Sequence, residues 1–229
     1  MEDLKFTVAR TIKWNVIDRV ASQILYAVTG IVLANKLSEE DFGLVGAILV
    51  FQAFASLFID SGFSSALIQR KSPTRLDYST VLWFNLGVAT ALYIILFICA
   101  PFIADIFQGD MRLVPLSRVM FLSFIINASA IVQTNRLMKK MDVKMVAVSN
   151  SLGLIVSAAV GIYLAVAGWG PWAIVWQTIT LAAVKSLILW LTSGWTPLWK
   201  FSWRVLGGFF NVGSGLMLSS FLNTAFQNI

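Results

Sequence analysis

Long apolar runs separated by short polar breaks dominate the chain. A helix needs about 20 apolar residues to cross the hydrocarbon core of a bilayer. On that criterion seven segments predict membrane-spanning helices, at 14–35, 43–67, 78–100, 113–134, 145–167, 171–192 and 205–229. The breaks are short, and no low-complexity stretch or soluble domain interrupts the series. The first run is too long for the apolar core of a signal peptide, so it reads as a true span. The last, FNVGSGLMLSSFLNTAFQNI, reaches the C-terminus with no polar exit, as though a helix were cut. WNV at 14–16 and FNV at 210–212 each open a span, a weak echo of the kind duplicated transporters carry.

Within these runs some positions are polar. Asp18, Ser22 and Tyr26 recur every fourth residue in the first segment, with Arg19 and Gln23 beside them. That spacing makes one stripe on a helix. Gln52, Ser56, Asp60 and Ser64 do the same in the second segment. Thr178 and Lys185 share a face of the sixth, with Gln177 adjacent. Counted from the segment ends at about 1.5 Å per residue, Arg19, Asp60 and Lys185 lie about 8–10 Å inside one leaflet. Charges at such depth usually face a bundle interior or a wet cavity. The pattern predicts a hydrated, net cationic cavity. Snorkelling of Lys185 and a helix-capping role for Asp60 are the structural alternatives. Arg118 lies nearer the other face, as an anchor or a site.

Lysine and arginine alternate between successive breaks. Lys5, Arg10, Lys13, Arg70, Lys71, Arg75, Arg136, Lys139, Lys140, Lys144, Lys200 and Arg204 fall on one side, Lys36 and Arg112 on the other. By the positive-inside rule the N-terminus is expected to be cytoplasmic. The net charge of +6 is therefore a topology signal with affinity for anionic lipid, and not a nucleic-acid surface. Trp169, Trp172 and Trp176 mark one interface, and Trp14, Trp195, Trp199 and Trp203 the other.

Composition narrows the chemistry. The chain has 229 residues, 58% hydrophobic and 12% charged, with mean hydropathy +0.81. Soluble domains carry about 25% charged residues. There is no histidine and a single cysteine, Cys99. Catalytic triads, HExxH metal sites and disulfide frameworks are excluded. No cofactor is expected, and no convincing carboxylate pair marks an enzyme.

Several stretches carry a resemblance. LANKLSEEDFGLVGAILVFQAFASLFIDSGFSSALIQRK at 33–71 is similar to the first helix pair of bacterial oligosaccharide (Wzx-like) flippases, a polysaccharide-export family related to the MATE exporters. STVLWFNLG at 79–87, APFIADIF at 100–107, LSRVMFLSF at 116–124, NRLMKKMDVKMVA at 135–147 and GWGPWAIVWQ at 168–177 resemble the same family, in order. The resemblance implies an all-α membrane protein of two six-helix lobes. Here it covers a cytoplasmic tail (1–13), one lobe (14–204) and the first helix of a second lobe (205–229), the rest lying in the same chain or in a partner. It also implies flipping of undecaprenyl-diphosphate-linked repeat units by alternating access, with a polysaccharide polymerase as a further partner. Arg19, Gln23, Gln52, Gln177 and Lys185 are then the substrate-binding candidates, and Asp18 and Asp60 balance charge or couple a proton. A MATE-type drug exporter is the competing expectation, favouring a net negative cavity. A non-transporting scaffold of a polymer-assembly complex is another.

Overall fold

The computed structural model describes residues 2–59, 67–68, 70–107 and 109–209. The side chains of 1–13, 15, 17, 18, 54 and 56–59 lie outside that description. Asp18 (as a side chain), Asp60, Ser56, Ser64 and segment seven beyond Phe209 therefore fall outside the described residues. What is described is helical: α1 (Glu2–Lys36), α2 (Glu39–Ile59), α3 (Arg75–Ile106), α4 (Leu113–Met120), α5 (Leu122–Lys139), α6 (Val143–Val166) and α7 (Trp172–Ser193). A further helix opens at 203. The spans Arg75–Ile106, Leu113–Lys139, Val143–Val166 and Trp172–Ser193 are each long and apolar enough to cross a membrane. The chain is an all-α, multi-pass membrane protein.

Two boundaries differ from the sequence expectation. The segment expected as a tail, 1–13, is helical from Glu2, and α1 runs 35 residues. That is about 52 Å at 1.5 Å per residue, well over a 30 Å hydrocarbon core, so its first turns project past the bilayer. The fourth span is broken at Phe121 into α4 and α5. The Phe121 N–H still donates to the Ser117 carbonyl at 2.9 Å, but Phe124 N–H reaches back only to the Phe121 carbonyl, at 3.0 Å. A tight turn of this kind keeps the span continuous while changing its winding.

Local chemistry starts and stops the helices. Ser38 and Asp41 exchange side-chain and backbone hydrogen bonds at 3.2 Å to open α2. Thr74 and Asp77 form a capping box at the start of α3. Asp77 is 1% exposed, and its carboxylate accepts from Thr74 N–H at 2.7 Å and from Arg70 at 3.3 Å. The α7 helix ends at Gly194, whose φ of +57° is the left-handed cap that glycine adopts without strain.

Small residues drive the largest helix–helix contact. Ser149, Gly153, Ser157, Gly161 and Ala165 form a buried stripe along α6. In lipid, where apolar burial alone does not hold helices together, such stripes let backbones approach closely. α7 lies antiparallel in that groove: Leu181 and Lys185 pack at Gly153, and Gln177 packs at Gly161. α1 runs along α6, with Leu33 and Leu37 clustered against Ala165 and Ala173. α5 packs on α7 and α3, and α2 on α4 and α3.

Candidate functional site

The connections gather at two ends. At one, Arg112 pairs with Asp110 at 2.7 Å and with Glu40 of α2, and Asp41 lies against Gly170 of the α6–α7 connection. The Arg112 guanidinium holds the Asp110 carboxyl below the ordinary carboxylate range, and its own pKa rises. A cleft of about 320 Å³ between α2 and α4 opens beside this cluster, lined by Glu40, Leu44, Phe107 and Asp110 among others.

At the opposite end Lys139 and Arg136 hold backbone carbonyls. Lys139 donates to the carbonyls of Ile68, at 2.9 Å, and Arg70. Arg136 donates to Ser193 at 3.0 Å. Lys144 lies over the Trp14 ring at 5.5 Å. This sorting matches the alternation of basic residues along the chain.

Between the ends, α6 organises the expected site. Ser22, on the polar stripe of α1, accepts from Asn150 of α6 at 3.3 Å. One turn along α6, the Cβ of Lys185 packs at Gly153. Arg19 lies one turn from Ser22 towards the basic end. Arg19 and Lys185 thus occupy adjacent levels of the bundle, within about 10 Å along its axis. Arg19 and Gln23 are exposed on α1, and Lys185 is half-buried.

The other candidates go elsewhere. Gln52 is turned towards α5, where its amide N–H donates to Ser123 at 3.4 Å and its carbonyl oxygen is buried without a partner. Gln177 fills the notch at Gly161. The structure does not bring these two to Arg19 and Lys185. Polar stripes on α1 and α2 were expected to face one cavity; α1 packs on α6 and α2 on α3, α4 and α5, while Asp18, Ser56, Asp60 and Ser64 of those stripes lie outside the described side chains. Arg118 lies over the Phe97 ring at 4.2 Å and donates to the Phe97 carbonyl at 3.3 Å, as an anchor on α3. Sequence reading missed Asn150, whose only signal was an amide in an apolar helix. Among the described residues no cluster has the make-up of a metal site.

An exposed arginine on a membrane helix, with a lysine at a neighbouring level of the bundle, suits an anionic cargo. The chain is 27% identical over 217 residues to the succinoglycan biosynthesis transport protein ExoT of Rhizobium meliloti, covering 95% of this chain and 44% of that protein. It is 29% identical over 222 residues to the teichuronic acid biosynthesis protein TuaB of Bacillus subtilis, covering 95% and 45%. It is 31% identical over 114 residues to the lipopolysaccharide biosynthesis protein WzxC of Escherichia coli, covering 50% and 23%. The chain thus spans less than half the length of these relatives. No solved structure matches it. A family model described as polysaccharide biosynthesis protein matches residues 32–229, most of the chain, and with these relatives it establishes that the chain belongs to the polysaccharide biosynthesis protein family.

Proposed function

We propose that the chain is the front lobe of a transporter, not an enzyme, that moves polyprenyl-diphosphate-linked oligosaccharide units from the cytoplasmic to the outer leaflet of the inner membrane. In this reading the N-terminus and the basic end are cytoplasmic, and a second lobe completes the cavity. The supporting observation is Arg19, exposed on α1 and one helical turn from the Ser22–Asn150 contact. A guanidinium at that depth is costly against hydrocarbon, whereas a water-filled cavity accommodates it.

Arg19 offers the diphosphate a planar, two-pronged set of donors. Lys185 adds attraction from the neighbouring level, and Gln23, on the exposed face, supplies amide hydrogen bonds to phosphate or sugar. Asp18 and Asp60 balance charge or take a coupling proton. Gln52 and Gln177 serve helix packing and take no part. Rocking of one lobe against the other would carry the headgroup across while the polyprenyl tail stays in lipid.

Arg19→Ala, made in the native gene, tests the assignment. Hydrogen bonds to a charged group contribute about 1.5–3 kcal/mol, so export should fall about tenfold or more. The readout is surface polymer and outward-exposed lipid-linked units, at matched protein level. Normal export at normal protein level would refute the role of Arg19.

A further inference from the structure

The cleft between α2 and α4, at the acidic end of the lobe, has a lining of two kinds. Its floor is apolar: Leu44, Ala47 and Leu113 are buried there, with Phe107 beside them. Its lip is charged, with Glu40 on α2 and Asp110 on the α3–α4 connection. Arg112 holds both carboxylates. Its backbone N–H and its side chain donate to Asp110 at 2.7–3.1 Å, and its side chain also donates to Glu40. Among the described residues Nη1 of Arg112 and Oε2 of Glu40 have no further partner. The lip therefore offers a donor and acceptors together. They are fixed in advance, which lowers the ordering cost of binding. Gly43 keeps the mouth open. It lines the cleft from α2, and a Cβ there would meet nothing within 4 Å. Neither packing nor a left-handed backbone calls for glycine at this position, and glycine inside a helix costs about 1 kcal/mol relative to alanine.

Lip and floor together select the occupant. A phosphate, or any other anion, meets Glu40 and Asp110, with Glu39 and Asp41 next to Glu40 in the chain. A small hydrated cation would have to displace Arg112, and it gains nothing from the floor. A purely apolar molecule would strip water from the charged lip and return no hydrogen bond. A pyranose ring suits both parts: its C–H face packs on apolar and aromatic side chains, and its rim of hydroxyls donates and accepts. The volume of about 320 Å³ lies at the small end of the roughly 300–1,000 Å³ that ligand sites occupy. We propose that this cleft is a carbohydrate subsite for one uncharged sugar ring, with Phe107 and Leu113 against the ring face and Glu40, Asp110 and Arg112 on its hydroxyls. The subsite rests on the transport reading above, in which the acidic end is the outer one. Cations near the basic end take the diphosphate. The acidic cleft takes the sugar and repels the diphosphate, so the arriving headgroup is held by its uncharged part alone.

Thiol alkylation of the full-length protein in membranes tests this. In a Cys99→Ser background, Gly43→Cys places a thiol in the cleft, where a side chain has room. The probe is the oligosaccharide repeat released from the cell's own surface polymer, free of lipid and phosphate. At millimolar concentration it should slow maleimide reaction at Gly43→Cys several-fold. Met111→Cys should react at an unchanged rate, because Met111 is exposed and lies outside the cleft lining. Inorganic pyrophosphate should slow neither. No protection by the oligosaccharide, or equal protection by pyrophosphate, would overturn the proposal. Gly43→Phe fills the cleft and should lower surface polymer several-fold at matched protein level, whereas Gly43→Ala should not. Equal export by the two would also overturn it. Protection at Gly43→Cys is read whether or not lipid-linked units are flipped. Protection together with normal export by Arg19→Ala would therefore keep the subsite and refute the role of Arg19.

Discussion

Gly161 shows what a single atom decides in this bundle. A Cβ there would stand 2.8 Å from the Gln177 side-chain oxygen and 3.1 Å from its Cβ. The amide end can swing away, but the Cβ is fixed to α7. Gly161→Val should therefore destabilise the protein by about 1–3 kcal/mol, as overpacking does. Gly87 sits in α3 with nothing within 4 Å of a Cβ. Gly87→Ala should be neutral or stabilising, by up to about 1 kcal/mol from helix propensity. Thermal melting of the purified protein in detergent compares them, and equal melting temperatures would remove the groove from the account. The polarity of Gln52, Gln177 and Gln133 in apolar runs was legible in sequence. Where each amide points was not, because helical spacing sets a face but leaves the opposite helix unnamed.

At the element scale, the stretch after α7 is a strap and not a free connection. Arg75, Ser79 and Trp83, four residues apart on one face of α3, all hold it. Arg75 donates to Thr196, through its carbonyl at 3.0 Å and its hydroxyl at 2.6 Å. Ser79 Oγ accepts from Leu198 N–H at 2.9 Å, and the Trp83 indole N–H donates to the Leu198 carbonyl at 2.8 Å. Trp83 also stacks on Trp199 at 4.8 Å. Lipid-exposed non-helical backbone avoids hydrocarbon, so residues 194–202 are expected at the headgroup layer. Trp83→Phe keeps the ring and removes one hydrogen bond, about 1 kcal/mol. Trypsin should then cut after Lys200 several-fold faster in the purified protein, and an unchanged rate would show that the strap is held by other contacts. The apolar runs marked the spans because length and hydropathy set them. The break at Phe121 left no mark, because the run stays apolar straight through it.

At the scale of the whole molecule, alternate connections collect at opposite ends. The Glu40–Arg112 and Asp41–Gly170 contacts close one end, and the Lys139 and Arg136 contacts close the other. In a Cys99→Ser background, Met111→Cys should react with an impermeant maleimide from outside the cell. Lys140→Cys should react only after the membrane is opened. Both residues are exposed. The opposite pattern would invert the proposed orientation.

What the chain determined by itself was a set of spans, their alternation and their family, because crossing a bilayer constrains length, apolarity and charge residue by residue. Tertiary structure decided which polar faces meet. It set Ser22 of α1 against Asn150 of α6, and Lys185 one turn from that contact. It used Gln177 to fill the notch at Gly161. Those choices depend on the small residues of α6, which fix how closely and in what register the helices lie. A stripe of glycine and serine allows a close approach, but only packing selects the partner.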